Sequence, residues 1–138
     1  MTTYNTNLAS EFYVLSMLYR LGIDASLTLG NKKAVDILIA NSDETVTTID
    51  VKGVAAQYDW PADNIHKVHD KHFYVLVCFN GKISDPLSMP TTWVVPSLVI
   101  NEFMKTYKTR TVISRMLIKS KGDQYMNKWD VLEDHFVL

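Results

Sequence analysis

The chain has 138 residues, 47% of them hydrophobic and 21% charged, which is enough apolar material for one core. Its formal net charge of −1 argues against a protein that coats nucleic acid by charge alone, but leaves room for a local basic groove. No apolar run approaches the roughly 20 residues that span a membrane, and the single cysteine, Cys78, cannot form an internal disulfide. We therefore expect one domain over residues 1–138, located in a reducing cytoplasm.

The N-terminal segment has the spacing of an amphipathic helix. Asn7 is a suitable cap, apolar residues recur every few positions as far as Leu21, and Gly22 is a natural residue to follow the helix. Glu11 lies at the border of the apolar stripe, where it can lean towards a sheet. The helix dipole alone also favours an acidic residue near a helix start, so Glu11 has a structural and a functional interpretation.

A strand is predicted from Ile23 to Leu29, and the next two strands form a hairpin. These two runs, Ala34–Ala40 and Thr47–Gly53, are short and rich in β-branched residues. A loop of about three or five residues sets Asp36 opposite Asp50. Because side chains alternate along a strand, both aspartates and Lys52 then share one face, and the apolar residues share the other.

Charged residues on that face indicate either a metal site or an ion pair. Two neighbouring carboxylates repel unless a proton or a cation lies between them. Mg²⁺ uses about one or two protein carboxylates and completes its shell with water and substrate phosphate, and such an ion polarises a phosphodiester and activates water. The structural alternative is a solvated pair between Asp50 and Lys52, and the strands alone leave both interpretations open.

The order of these residues resembles the PD-(D/E)xK nuclease superfamily, within which the chain is most similar to small restriction-endonuclease-like and archaeal Holliday-junction-resolvase-like proteins. The resemblance is carried, in chain order, by Glu11 on a helix, Asp36 on a strand, and Asp50, Val51 and Lys52 on the next strand. It is close in motif detail from about Asn7 to Val54 and looser towards the C-terminus. Val35 replaces the proline that the family places before the first aspartate, a position that is not a ligand.

The resemblance implies a restriction-endonuclease-like α/β fold, in which helices flank a central mixed β-sheet. It also implies a metal-dependent endonuclease that hydrolyses DNA phosphodiester bonds. Asp36, Asp50 and the backbone carbonyl of Val51 would ligate Mg²⁺ or Mn²⁺. Glu11 would act through a water molecule or a second ion. Lys52 would orient or deprotonate the attacking water, or stabilise the charge of the transition state.

The remaining candidates for contact with nucleic acid are weaker. They are Lys32, Lys33, Gln57, Lys67 and Lys71. Tyr58 and Trp60 can stack on a base, but an aromatic residue beside a proline is more typical of a packed lid. Three histidines, at positions 66, 69 and 72, straddle a loop and a strand, so phosphate contact or solvation is favoured over a zinc site.

The second half of the chain alternates between strands and helices. Strands are predicted at 73–79 and 92–96, and helices at 97–107 and 123–133. Residues 111–119 fit a helix and a strand equally well.

One active site cuts one strand, so we expect a homodimer or a partner that tethers the protein to DNA. The alternatives are a non-catalytic nuclease-fold subunit that binds DNA or protein, and a small α/β interaction protein with structural ion pairs. Structure-selective cleavage in repair, a role in defence and a role in mobile-element biology all remain open.

Overall fold

The computed structural model describes residues 2–28, 36–63, 65 and 68–133, and its elements are as follows. The strands are β1 (Ala25–Leu27), β2 (Ile37–Ala40), β3 (Val46–Val54), β4 (Trp60–Pro61), β5 (His72–Cys78), β6 (Thr91–Pro96), β7 (Met104–Tyr107) and β8 (Arg110–Ile113). The helices are α1 (Thr3–Arg20) and α2 (Arg115–Lys121), with 3₁₀ helices at Ser97–Phe103, Asp123–Tyr125 and Trp129–Leu132. No helix in these described ranges is long and apolar enough to cross a membrane.

A five-stranded mixed sheet lies at the centre of the fold, in the order β1-β2-β3-β5-β6. The β3–β5 pair is parallel, and the other three pairs are antiparallel. A smaller sheet has the order β4-β8-β7. This arrangement confirms the predicted α/β class, with a central mixed sheet flanked by helices.

The central sheet separates two hydrophobic cores. Alternation along β3 and β5 sends Ile49, Val51, Val75 and Val77 into the core that also contains α1. Tyr74 and its same-face neighbours on β5, Leu76 and Cys78, face the other core. That second core is completed by residues of the smaller sheet and α2, so β5 is buried on both faces.

Helix α1 begins earlier than the sequence analysis predicts. The Thr2 hydroxyl accepts a hydrogen bond from the Asn5 amide at 3.1 Å and caps the helix, so Asn7 lies inside it. Glu11 consequently lies in the middle of α1, and the helix dipole does not account for its position. The predicted end is confirmed, because Gly22 follows the helix with a φ of +79°, a conformation that suits glycine.

The later elements differ from the predictions where distant segments pair. The predicted helix 97–107 is a 3₁₀ helix followed by β7, because Met104 and the residues after it pair with β8. The ambiguous segment 111–119 contains both a strand and a helix, which meet at Ser114, the residue that caps α2 through the Leu117 amide. The predicted helix 123–133 is a pair of short 3₁₀ helices.

Candidate metal and catalytic site

The β2–β3 hairpin has the register that the sequence predicts. Ile37 pairs with Ile49 and Ala40 pairs with Val46, and residues 41–45 form the loop. The predicted division of faces is also observed, because the isoleucines of both strands lie in the core beneath α1. The polar residues of the motif are therefore directed to the other side of the hairpin.

Asp36 lies one residue beyond the last pair of this ladder, which corrects the expectation that it pairs directly with Asp50. Its amide donates to the Ile49 carbonyl at 2.8 Å, and its carbonyl accepts from the Thr28 amide at 2.8 Å. Its carboxylate oxygen Oδ2 accepts from the Val51 amide at 2.7 Å. The backbone on both sides thus fixes Asp36, and its carboxyl group reaches β3 immediately before β2 begins.

Asp50 and Lys52 lie on the same face of β3. Lys52 Nζ is 3.7 Å from Asp50 Oδ1, and the two side chains are only 13% and 15% exposed. This pair is therefore largely shielded from water, unlike a typical solvated surface pair.

The pKa of the Asp50 carboxyl group is raised from 3.8 to about 7. Burial is the largest cause, because it disfavours the charged form. The Lys52 cation opposes the shift, while the charge of Asp36, a hydrogen bond between the Asp36 and Asp50 side chains, and the charge of Glu11 add to it. Two carboxyl groups in hydrogen-bond contact hold a proton between them. A metal cation can take the place of that proton.

Glu11 reaches this region because α1 lies very close to β3. A Cβ atom on Gly53 would be 2.6 Å from the Ser10 Cβ, so only glycine permits the observed approach. Ser10 and its neighbour Glu11 are both buried. The structure thus gathers Glu11 from α1, Asp50 and Lys52 from β3, and Asp36 from the position just before β2.

The donor set fits a hard divalent cation that keeps part of its water shell. Within residues 2–28, 36–63, 65 and 68–133, no three His, Cys, Asp or Glu side chains are grouped so as to hold a metal ion. Mg²⁺ requires only about one or two protein carboxylates, which Asp36 and Asp50 supply. The Val51 amide points towards Asp36, and the carbonyl of a strand residue points to the same side as its amide, so Val51 offers an oxygen there.

Of the weaker nucleic-acid candidates, the structure describes Lys71 and Gln57. Lys71 precedes β5, where its carbonyl accepts from the Thr48 amide. Gln57 is exposed on the loop after β3. Lys32, Lys33 and Lys67 lie outside the described residues.

Of the aromatic and histidine candidates, Trp60 and His72 are buried, whereas Tyr58 and His69 are exposed. Trp60 is fully buried, and its indole nitrogen donates to the Val77 carbonyl at 3.1 Å, so it packs as the sequence analysis favours. Tyr58 is 64% exposed. His72 is buried at the start of β5 with Nδ1 2.6 Å from the Thr48 hydroxyl, whereas His69 is exposed. The third histidine, at position 66, lies outside the described residues.

Sequence reasoning missed two cations that accompany Gln57. Arg115 and Lys119 of α2 line the same pocket as Gln57, although they are more than 50 positions away in the chain. One signal was available, because residues 104–121 contain six lysine and arginine residues and no aspartate or glutamate. That charge run is visible in the sequence, but its position beside the loop after β3 is not.

No protein-family model and no curated protein sequence matches the chain. Among solved structures, the fold is similar to that of a bacterial homing endonuclease, I-Ssp6803I. The TM-score is 0.53 at 12% sequence identity, and the match covers 95% of this chain and 92% of the endonuclease chain. The two proteins therefore share a fold over nearly their whole lengths.

Proposed function

We propose that the protein is a metal-dependent endonuclease of the PD-(D/E)xK type, which hydrolyses DNA phosphodiester bonds. One observation carries this proposal: the carboxyl groups of Asp36 and Asp50 meet in a shielded site beside the Lys52 cation. The similarity to a homing endonuclease supports the proposal of a nuclease, because that protein is a nuclease with a similar fold.

Asp36, Asp50 and the Val51 carbonyl would hold Mg²⁺ or Mn²⁺. When bound, such an ion polarises the phosphodiester and lowers the pKa of a bound water molecule. Asp36 is well suited to this role because its backbone bonds and its contact with the Val51 amide fix its position. A ligand held in place by its own surroundings does not have to be reorganised when an ion and substrate bind.

Lys52 would add a positive charge to the site, and Glu11 would add a negative one. Lys52 lies close enough to Asp50 to place its ammonium group beside the scissile phosphate, where it stabilises negative charge or orients the attacking water. The charge of Glu11 acts on Asp50, although Glu11 is not grouped with both aspartates as a third direct ligand in the described part of the chain. Contact through water or a second ion is the role that agrees with this geometry.

A nuclease of this size with one site cuts one strand, so cleavage of a duplex on both strands would need a second copy or a DNA-tethering partner. A homodimer, a partner of that kind and a cytoplasmic location remain predictions.

The test is a cleavage panel with Mg²⁺ or Mn²⁺ on labelled duplex, single-stranded, flap and four-way-junction DNA. The wild-type protein is compared with Asp50→Asn, which keeps the shape of the side chain but removes its charge, and with Asp70→Asn, an exposed control. We expect metal-dependent cutting by the wild type and the control, and a loss of at least about a hundredfold in Asp50→Asn. Wild-type binding to DNA without cutting on any substrate would instead favour a non-catalytic nuclease-fold subunit.

A further inference from the structure

A pocket of about 500 Å³ lies between the loop after β3 and helix α2. It is lined by Gln57, Asp59, Arg115, Met116, Lys119 and Ser120. Arg115 and Lys119 are four residues apart in α2, so their side chains lie on one face of the helix. Gln57 adds an exposed amide from the loop, which gives the pocket two cations and a neutral hydrogen-bond donor.

The pocket lies on the same side of the central sheet as the side chains of Asp50 and Lys52. Asp50 pairs in register with Tyr74, and Lys52 pairs with Leu76, so each pair projects to one face. Tyr74 and Leu76 belong to the core that also contains Ile118 of α2. Helix α2 thus lies on the side of the sheet to which Asp50 and Lys52 project.

The short chain separation between Lys52 and Gln57 limits the distance from the catalytic residues to the pocket to a few phosphate spacings of a DNA strand. Gln57 follows Lys52 by five positions, and five residues of extended chain span at most about 18 Å. One strand of a DNA duplex carries a charge about every 3.4 Å along the helix axis. A strand bound at the carboxylates would therefore bring its next few phosphates to the loop and α2.

The charge of this region is opposite to that of the chain as a whole. The net charge of the chain is −1, yet residues 104–121 hold six of its 14 lysine and arginine residues and none of its acids. Asp59 is the acidic residue in the pocket lining, and its Oδ1 accepts from the Arg115 amide at 2.8 Å, which ties the loop to the start of α2. Asp59 thus holds the two walls of the pocket together.

We propose that Gln57, Arg115 and Lys119 form a binding site for the phosphate backbone of duplex DNA beside the scissile bond. This inference rests on the proposed function for the choice of DNA as the polyanion. Phosphate contacts position a nucleic acid without reading its sequence, so the site would set where the strand lies across the carboxylates. The affinity of a protein with a negative net charge would then depend on this local cluster of positive charge.

The test measures binding of a fluorescent duplex of about 30 base pairs by anisotropy, in EDTA and over a series of salt concentrations. The variant Arg115→Gln/Lys119→Gln removes the two pocket cations. A matched control, Arg20→Gln/Lys128→Gln, removes two cations elsewhere, one of them on α1 across the central sheet. Gln57→Ala is included because it leaves α2 unchanged, and thermal melting of each variant checks that it folds.

We expect the pocket variant to weaken binding by about tenfold or more, and the slope of log affinity against log salt to fall by about two. Gln57→Ala should weaken binding by less, because it removes no charge. Asp59→Asn keeps a side-chain oxygen for the Arg115 amide and should tighten binding. The control pair should stay within about twofold of the wild type.

Equal losses in the pocket variant and the control pair would overturn the proposal, because the effect would then follow net charge alone. Failure of the wild type to bind duplex DNA, or binding to duplex RNA only, would overturn it as well. Selective loss of binding in a protein that does not cut DNA would support the pocket and reject the nuclease. Metal-dependent cutting with no effect of the pocket variant would reject the pocket and keep the nuclease.

Discussion

The protonation state of Asp50 depends on opposing effects of its surroundings. Burial and two acidic neighbours favour its neutral form, and Lys52 favours its charged form, with the net result that its pKa rises to about 7. A protein without a ligand for this group gains nothing from such a carboxylate, because burying charge costs free energy. A bound cation reverses the balance by favouring the charged form of Asp50.

The raised pKa of Asp50 predicts how stability changes with pH in the absence of divalent ions. Between about 3.8 and about 7, the folded state holds a proton that the unfolded state has released. The free energy of unfolding should therefore fall as pH rises through this range and level off above it. Asp50→Asn removes the titration, so its thermal melting curve should show a flatter pH dependence and a higher melting temperature at neutral pH.

Asp70→Asn is the matched control for this prediction, because Asp70 is exposed. It should leave the pH dependence of the wild type unchanged. An identical pH dependence in wild type and Asp50→Asn would show that burial of this carboxyl group is not a significant cost to the fold.

The residues of the candidate site could be predicted in part from the sequence. Alternation of β-branched and charged residues identified Asp36, Asp50 and Lys52 and placed them on one face. The bond from the Val51 amide to Asp36 was not predictable, because it forms just before β2 begins, where a side chain takes the place of a ladder partner. The exact end of a strand depends on tertiary contacts that a residue pattern does not record.

The packing of α1 on β3 is the contact between elements that positions Glu11. Gly53 lies under Ser10, and the absence of a side chain on Gly53 sets the distance between helix and strand. The Ser10 hydroxyl donates to the Thr6 carbonyl at 2.7 Å, so it remains bonded within the helix and requires no partner on the strand. The helix can therefore lie directly on the backbone of β3.

Gly53→Ala should push α1 away from the sheet and destabilise the protein by about 1–3 kcal/mol, the usual cost of overpacking. Chemical denaturation measures this loss. Ser10→Gly removes the atoms that the new methyl group would meet, at an intrinsic helix cost of about 1 kcal/mol. The double variant should consequently lose less than the sum of the two single variants. Strict additivity would mean that this close approach does not set the helix–strand distance.

Prediction of whole elements succeeded where the signal was local. The hairpin register followed from alternation and loop length, and the end of α1 followed from Gly22. The predicted start of α1 at Asn7 is wrong, because Thr2, a typical capping residue, caps the helix five positions earlier. Strand β7 was missed because it owes its conformation to pairing with β8, whose residues lie further along the chain.

The net charge of the chain conceals an uneven distribution of charged residues along the sequence. A net charge of −1 agrees with a protein that does not bind DNA strongly, but residues 104–121, which include β7, β8 and α2, hold six of the 14 lysine and arginine residues and no acidic residue. The charge run was countable in the sequence, whereas its place beside the loop after β3 depends on long-range packing around Ile113 and Ile118. The sequence therefore indicates a basic segment, and the fold shows which surface that segment builds.

We propose that Asp36 and Asp50 together hold a divalent cation, and calorimetric titration of the metal-free protein with Mn²⁺ tests this most directly at about pH 8, which is above the pKa of about 7 of Asp50. We predict saturable binding of one ion to the wild type and to Asp70→Asn. Asp36→Asn and Asp50→Asn should each weaken this binding by about tenfold or more. Wild-type protein that shows no saturable heat, or aspartate variants that bind as well as the wild type, would contradict the claim.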